Sequence, residues 1–181
     1  MRNRSLMCVE IEAKLKVESL QEIAEKLTAL GAEFLQEQMQ TDYYLDDKSA
    51  TLTKTDRCLR LRRQLTNREE RTFLTYKGAK EKDEFKKRRE IEVEVADADS
   101  VEKLLSEIGY DRALVVEKKR RVWWFRQCSV ALDELPSLGN FVEIEGPDSQ
   151  RITDVQRELG LTDLPHIAQS YASLMAEKLG R

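Results

Sequence analysis

Three charged residues near the start of the chain, Glu10, Glu12 and Lys14, stand two positions apart. On a β-strand their side chains leave the same face, about 6–7 Å between successive ones. Two carboxylates at that spacing can share or divide hard divalent cations such as Mg²⁺ or Mn²⁺, which take oxygen ligands, and a lysine beside them reaches a phosphate. The same alternation pairs Arg60 with Arg62, Thr75 with Lys77, Lys118 with Arg120, Ala131 with Asp133 and Glu143 with Glu145. Acids and bases are segregated by strand: Glu10/Glu12 and Glu143/Glu145 against Arg60/Arg62 and Lys118/Arg120. A face turned to bulk water has no need of that segregation. A site that holds cations against one wall and a polyanion against the other does. Phosphoryl and nucleotidyl transfer ask for alignment and charge neutralisation more than for covalent help. Arginine supplies a bidentate fork and lysine a point charge.

The elements that position these residues are strands. In 8–17, Val9, Ile11, Ala13, Leu15 and Val17 alternate with Glu10, Glu12, Lys14 and Lys16, the period of a half-buried strand. Residues 18–31 switch to helical spacing, with Leu20, Ile23, Leu27 and Leu30 on one stripe and Gly31 at the C-cap. The plan recurs: 88–95 alternates with Glu90, Glu92 and Glu94 on one face. A helix opening at Ser100 then turns Val101, Leu104, Leu105 and Ile108 inward, with Gly109 behind it. This reads as an internal pseudo-repeat whose second copy is about one turn shorter. Further strands are expected over 42–46, 58–63, 71–77, 115–125, 129–133 and 141–145, with polar connections at 64–70 and 79–86 and a tight turn at 136–140. Two C-terminal helices are expected over about 150–159 and 166–178, the second with Ile167, Tyr171, Leu174 and Met175 on one stripe.

Eight strands with charged faces are reconciled by a closed antiparallel barrel. The charged faces turn inward and helices cover the apolar outside, an α+β fold. So many charges require a wet, open-ended lumen, because a dry core would not tolerate them. The 181 residues form one domain over 1–181, with 40% hydrophobic residues and only 7 Gly and 3 Pro, which excludes a disordered or fibrous chain. Lys+Arg of 31 against Asp+Glu of 34 gives a net charge of -3, which argues against general nucleic-acid binding. Cys8, Cys58 and Cys128 are widely spaced and read as reduced thiols of a cytoplasmic protein. No apolar run approaches a membrane span. Residues 1–7 lack the apolar stretch of a signal peptide and read as a disordered or non-native start, with Met7 as a second candidate for the first residue.

Taken in order, several short motifs form a series. They are Glu10-x-Glu12-x-Lys14, Leu59-Arg60-Leu61-Arg62, Tyr76-Lys77-Gly78, the glutamates of Arg89-Glu90-Ile91-Glu92-Val93-Glu94, Glu117-Lys118-Lys119-Arg120, Leu132-Asp133, Gly139-x-Phe141-Val142-Glu143-Ile144-Glu145 and the late Ser170-Tyr171. The series resembles the CYTH superfamily, named for class IV adenylyl cyclases and thiamine triphosphatases, from about residue 8 to 175. The resemblance implies an eight-stranded triphosphate tunnel working with two divalent cations, Mg²⁺ or Mn²⁺, on ATP or another triphosphate. By position, Glu10, Glu12 and Glu143 look like metal carboxylates, with Glu145 added from the same face. Lys14, Arg60, Arg62, Lys77, Lys118 and Arg120 look like the triphosphate cradle. Asp133 joins Glu10, Glu12 and Lys14 as a catalytic candidate, and Glu90 and Glu92 orient the basic residues or contact metal-bound water. The leading activity is conversion of ATP to cyclic AMP and pyrophosphate. Hydrolysis of inorganic, nucleoside or thiamine triphosphate is the alternative. A non-catalytic binder of polyphosphate or triphosphorylated RNA ends is the third reading, which the carboxylates oppose. The sequence leaves a homodimer open.

Other residues read more plainly. His166 follows Pro165 and reads as a cap or surface residue. Adjacent Trp123 and Trp124 face opposite sides of their strand, one under an outer helix, the other at the tunnel mouth, where core packing and stacking on a base compete. The basic runs 86–89 and 118–121 read as solvated strand ends or as attractors of polyanions.

Overall fold

Alternation in the sequence resolves into eight strands: β1 (Cys8–Val17), β2 (Glu33–Asp46), β3 (Cys58–Thr66), β4 (Glu70–Lys77), β5 (Lys86–Val95), β6 (Asp111–Phe125), β7 (Cys128–Leu135) and β8 (Gly139–Gly146). All neighbours pair antiparallel, and the sheet closes in the order β1-β5-β4-β3-β2-β6-β7-β8. The computed structural model describes residues 8–80 and 86–180; residues 1–7, and with them the expected start, lie outside the described residues, as do the side chains of 8–10, 86 and 87. Closure leaves no strand edge exposed and fixes register on both sides of every strand.

The helices lie outside and across one end. α1 (Leu20–Ala29) starts at Ser19, whose hydroxyl accepts from the Glu22 amide at 3.2 Å. It ends before Gly31, which takes a φ of +74° that side chains rarely adopt. Together with α4 (Ser149–Leu159) it covers the outer faces of β1, β7 and β8, where Leu15, Leu27, Val130, Ile144, Val155 and Leu159 are fully buried. α3 (Ala98–Glu107) packs Ala98 and Leu105 against Leu45 of β2 and Leu61 of β3. α5 (Tyr171–Lys178) closes one end of the barrel with Val116, Leu135, Phe141, Tyr171 and Met175. Among the described residues no helix is long and apolar enough to cross a membrane.

Several expectations are corrected. β2 begins at Glu33, nine residues before the expected 42, and β3 and β4 take up most of the connection expected at 64–70. A short helix, α2 (Thr51–Lys54), was not anticipated; the Asp46 carboxylate holds its start, accepting from the amides of Leu52 and Thr53. α3 opens at an Asp97 cap instead of Ser100. That phase turns Leu105 inward and leaves Leu104 and Ile108 61% and 63% exposed, where the sequence stripe put them inside. The two strand–helix copies carry helices of equal length, ten residues each. The last helix begins at Tyr171 and not at 166: residues 165–168 form no helix or strand, and the Ile167 amide donates to the Lys14 carbonyl at 2.8 Å.

One glycine has a steric requirement. A Cβ on Gly146, at the end of β8, would meet Cys128 Sγ at 2.8 Å and Ile152 Cγ1 at 3.0 Å, both in the fully buried core under α4. Gly146→Ala is expected to lower stability by about 1–3 kcal/mol through overpacking. Urea denaturation checks this; an unshifted midpoint refutes it.

Candidate active site

The inward faces of the strands enclose a cavity of about 970 Å³. Glu12 and Lys14 reach it from β1, Arg60 and Arg62 from β3, Lys77 from β4, Glu90 and Glu92 from β5, Lys118 and Arg120 from β6, and Glu143 and Glu145 from β8. The closed register thus gathers residues spread over 134 positions of sequence (12 to 145) around one lumen. Glu10 belongs to β1, opposite Arg88 of β5, but its side chain lies outside the described residues.

The cations stand in ion pairs and not in isolation. Lys14 Nζ lies 3.2 Å from Glu143 and donates to the Gln169 carbonyl at 3.1 Å. Arg120 forks onto Asp133 and also meets Glu143. Lys118 Nζ is 3.5 Å from Asp133. Lys77 bonds Glu90, which Arg88 also approaches, with Nε at 3.5 Å. Arg60 approaches Glu92 at 3.7 Å and donates to Thr75, whose hydroxyl donates to Glu92 at 2.9 Å. Asp133 is fully buried behind this wall, where it also accepts from the Tyr171 hydroxyl at 2.8 Å. The Tyr171 ring lies under two ammonium groups, 4.0 Å from Lys14 and 4.7 Å from Lys118. Tyr171 thus packs across the tunnel end with both its hydroxyl and its ring facing the cations.

Asp42 and Arg88, both buried, were missing from the sequence set. Asp42 of β2, fully buried, accepts both arms of Arg62 at 2.6 and 2.7 Å, with Arg60 at 3.7 Å. Arg88, read as part of a basic run that is either a solvated strand end or an attractor of polyanions, is buried and lines the cavity. Asp42 stands alone among glutamines and tyrosines, so no charged alternation announced it; only its phase with Tyr44 placed it on the lumen face.

Burial and charge set the ionisation of the wall. Burial pushes the Asp42 carboxyl up, but Arg62 and Arg60 outweigh this and hold it well below the ordinary 3.8. Burial pushes Asp133 up likewise, and Arg120 and Lys118 bring it below its usual range. Lys118 goes the other way: burial, reinforced by Arg120 and Arg62 and opposed by Asp133 and Glu143, brings its ammonium down to about 7. Burial and the nearby Glu12 raise the Glu145 carboxyl above its ordinary value.

Glu12 and Glu145 are direct partners across β1 and β8, and Glu143 stands opposite Lys14 one step further along. Among the described residues no three of these carboxylates form a preformed cation cage. That suits Mg²⁺, which is held by one or two carboxylates plus substrate phosphates instead of an all-protein cage. Carboxyls crowded enough to push Glu145 upward are relieved by a divalent cation. The donor chemistry of Glu12, Glu145 and Glu143 therefore fits a hard divalent cation.

Comparison with known proteins agrees with this fold. The sequence model of the CYTH domain family matches residues 9–171. A protein of Methanocaldococcus jannaschii, named provisionally as an adenylate cyclase, is 29% identical over 137 residues, 76% of each chain. The solved structure of PH1819 from Pyrococcus horikoshii superposes with a TM-score of 0.80 at 32% identity, covering 93% of this chain and 99% of that one. The Hippeastrum protein HpAC1, described as a candidate adenylyl cyclase with a dominant triphosphatase activity, shares the fold at a TM-score of 0.68 and 19% identity, covering 95% of this chain and 96% of that one.

Proposed function

The chain belongs to the CYTH domain family, and on that premise we propose that it is a divalent-metal-dependent enzyme of triphosphates, converting ATP to cyclic AMP and pyrophosphate. One observation carries this reading: an enclosed lumen in which Arg60, Arg62, Lys118 and Arg120 line one wall and Glu12, Glu143 and Glu145 another. Arg60, Arg62, Lys118, Arg120, Lys14 and Lys77 exchange their carboxylate partners for phosphate oxygens when substrate enters. Asp133, Glu90 and Glu92 hold those cations in place as positioning residues. Glu12, Glu145 and Glu143 would hold a divalent cation, which would supply Lewis acidity to the phosphoryl group and lower the pKa of the attacking hydroxyl. The ribose 3′-oxygen then bonds to the α-phosphorus. The bond from that phosphorus to its bridging oxygen breaks, with the electron pair leaving on pyrophosphate against the basic wall. The hydroxyl proton passes to water in the wet lumen.

Incubation with ATP, inorganic triphosphate and thiamine triphosphate, with Mg²⁺ or Mn²⁺ and product identification, tests the reading. Cyclic AMP with pyrophosphate supports it. Orthophosphate alone assigns the hydrolytic alternative on the same residues, and binding without turnover of any of the three assigns a binding module.

The lowered Lys118 ammonium gives the tunnel a pH dependence. With the tunnel empty Lys118 loses its proton as pH rises through about 7. A bound polyanion, set among Arg62, Arg120, Asp133, Glu143 and Asp42, restores it. Triphosphate affinity is expected to fall above pH 7, by at most about tenfold per unit. Lys118→Arg, whose charge does not titrate there, flattens the profile. Calorimetry between pH 7.5 and 9 checks this, and a flat native profile refutes it.

A further inference from the structure

One aromatic side chain outside the phosphate-binding set backs the wall of cations. Tyr171, the first residue of α5, is buried, and its placement is fixed from several sides. Ser170 caps the helix, its hydroxyl accepting from the Ser173 amide at 3.1 Å. Phe141 packs edge-to-face with the ring, centroids 5.2 Å apart. The tyrosine hydroxyl donates to Asp133, which in turn holds Arg120 and Lys118. The ring meets the ammonium groups of Lys14 and Lys118 directly. Three cradle cations, from β1 and β6, therefore bear on one side chain. The segment leading into α5 holds the same Lys14 twice more, through the Gln169 carbonyl on its ammonium and the Ile167 amide on its own carbonyl. Packing among Val116, Leu135 and Met175 asks only for an apolar side chain. It does not account for a ring shared by two ammonium groups or for a hydroxyl spent on a buried carboxylate.

The ring and the carboxylates respond differently to an incoming triphosphate. Glu143 and Asp133 compete with phosphate oxygens for the same N–H donors and have to be displaced. A π face attracts the ammonium as a charge and takes no part in that exchange. Without the ring, each ammonium settles more closely onto its carboxylate, and phosphate then has a stronger pair to break. We infer that Tyr171 is a positioning residue of the triphosphate site, its ring holding the ammonium groups of Lys14 and Lys118 partly withdrawn from Glu143 and Asp133 and in place for phosphate oxygens. Its hydroxyl has a separate role, satisfying one oxygen of the buried Asp133. The inference rests on the triphosphate reading and adds the start of the last helix to the parts that set affinity.

Inorganic diimidotriphosphate, whose NH bridges resist cleavage, gives the affinity by calorimetry with Mg²⁺. Tyr171→Leu is expected to weaken binding about tenfold, the order of a desolvated cation–π contact. Tyr171→Phe keeps the ring and is expected to bind within about threefold of native, while melting below it because Asp133 loses a buried partner. A second series keeps shape and fold. With one, two or three fluorines on the ring introduced by Tyr171→Phe, electron density is drawn from the face that the ammonium groups meet. Affinity is expected to fall stepwise along that series towards the Tyr171→Leu level. An affinity that moves less than twofold across the fluorinated rings overturns the positioning role and leaves the triphosphate reading intact. Failure of the native protein to bind the ligand overturns both.

Discussion

Glu12→Gln is expected to reduce turnover of ATP with Mg²⁺ roughly a thousandfold, equivalent to about 4 kcal/mol of transition-state stabilisation. The substitution keeps the shape of the side chain and removes one charge from a row in which Glu12 faces Glu145 directly. Without that charge a divalent cation would lose a ligand oxygen of full charge. The fold does not depend on the charge: the apolar contacts that seat β1 are those of Ala13 and Leu15 on its other face, under α1 and α4. Melting temperature should therefore hold while activity collapses. Steady-state assays over a titration of Mg²⁺ and Mn²⁺ check this, and activity within twofold of native at saturating metal would remove Glu12 from the metal-binding set.

The legible and the hidden parts of this fold divide along a physical line. β1 was legible because its two faces differ as sharply as residues can, glutamate and lysine against valine, isoleucine and leucine. The first half of β2 was not, because its inward Gln36, Gln38 and Gln40 and its outward Glu37, Met39 and Thr41 offer no apolar contrast. Met39 is 51% exposed, as no helix covers that stretch. α3 was expected, but its start was set too late and its face rotated: adjacent leucines at 104 and 105 satisfy either phase, and the Asp97 cap decides between them. The charged pairs of β3, β6 and β8 announced the lumen because each repeats its charge at period two. Their mutual arrangement was beyond any local signal. Arg62 meets Asp42 because β3 lies beside β2, and Asp133 meets Tyr171 because a C-terminal helix crosses the barrel end. Such contacts are set by closure of the whole sheet, so a single strand's pattern names the inward face without naming the partner.

The Asp42–Arg62 pair owes its existence to that closure, and its two members carry separable roles. Both side chains are buried, the carboxylate completely, and both guanidinium bonds are short. Arg62→Ala leaves Asp42 with only the more distant Arg60, and removal of one member of a buried pair costs about 3–5 kcal/mol. The Asp42 carboxyl is held below 3.8 in the folded protein, so the stability it contributes is present above that value and is lost as pH falls through the lower folded one. Arg62→Ala is therefore expected to be most damaging near neutral pH and closest to native in acid. It should also weaken triphosphate binding by about 10–100-fold, the worth of charge-assisted bonds from one guanidinium. Asp42→Asn separates the two roles. It leaves Arg62 without its counter-charge and Arg60 with only Glu92, so the empty protein loses stability, but a triphosphate no longer competes with Asp42 for the two guanidinium groups and binds more tightly than to native protein. The double variant should regain much of the stability lost in Arg62→Ala and none of the affinity. Chemical denaturation and calorimetry on the four proteins of this cycle check both axes, and an Asp42→Asn variant that binds triphosphate more weakly than native protein would mean that Arg60 and Arg62 do not hold the substrate.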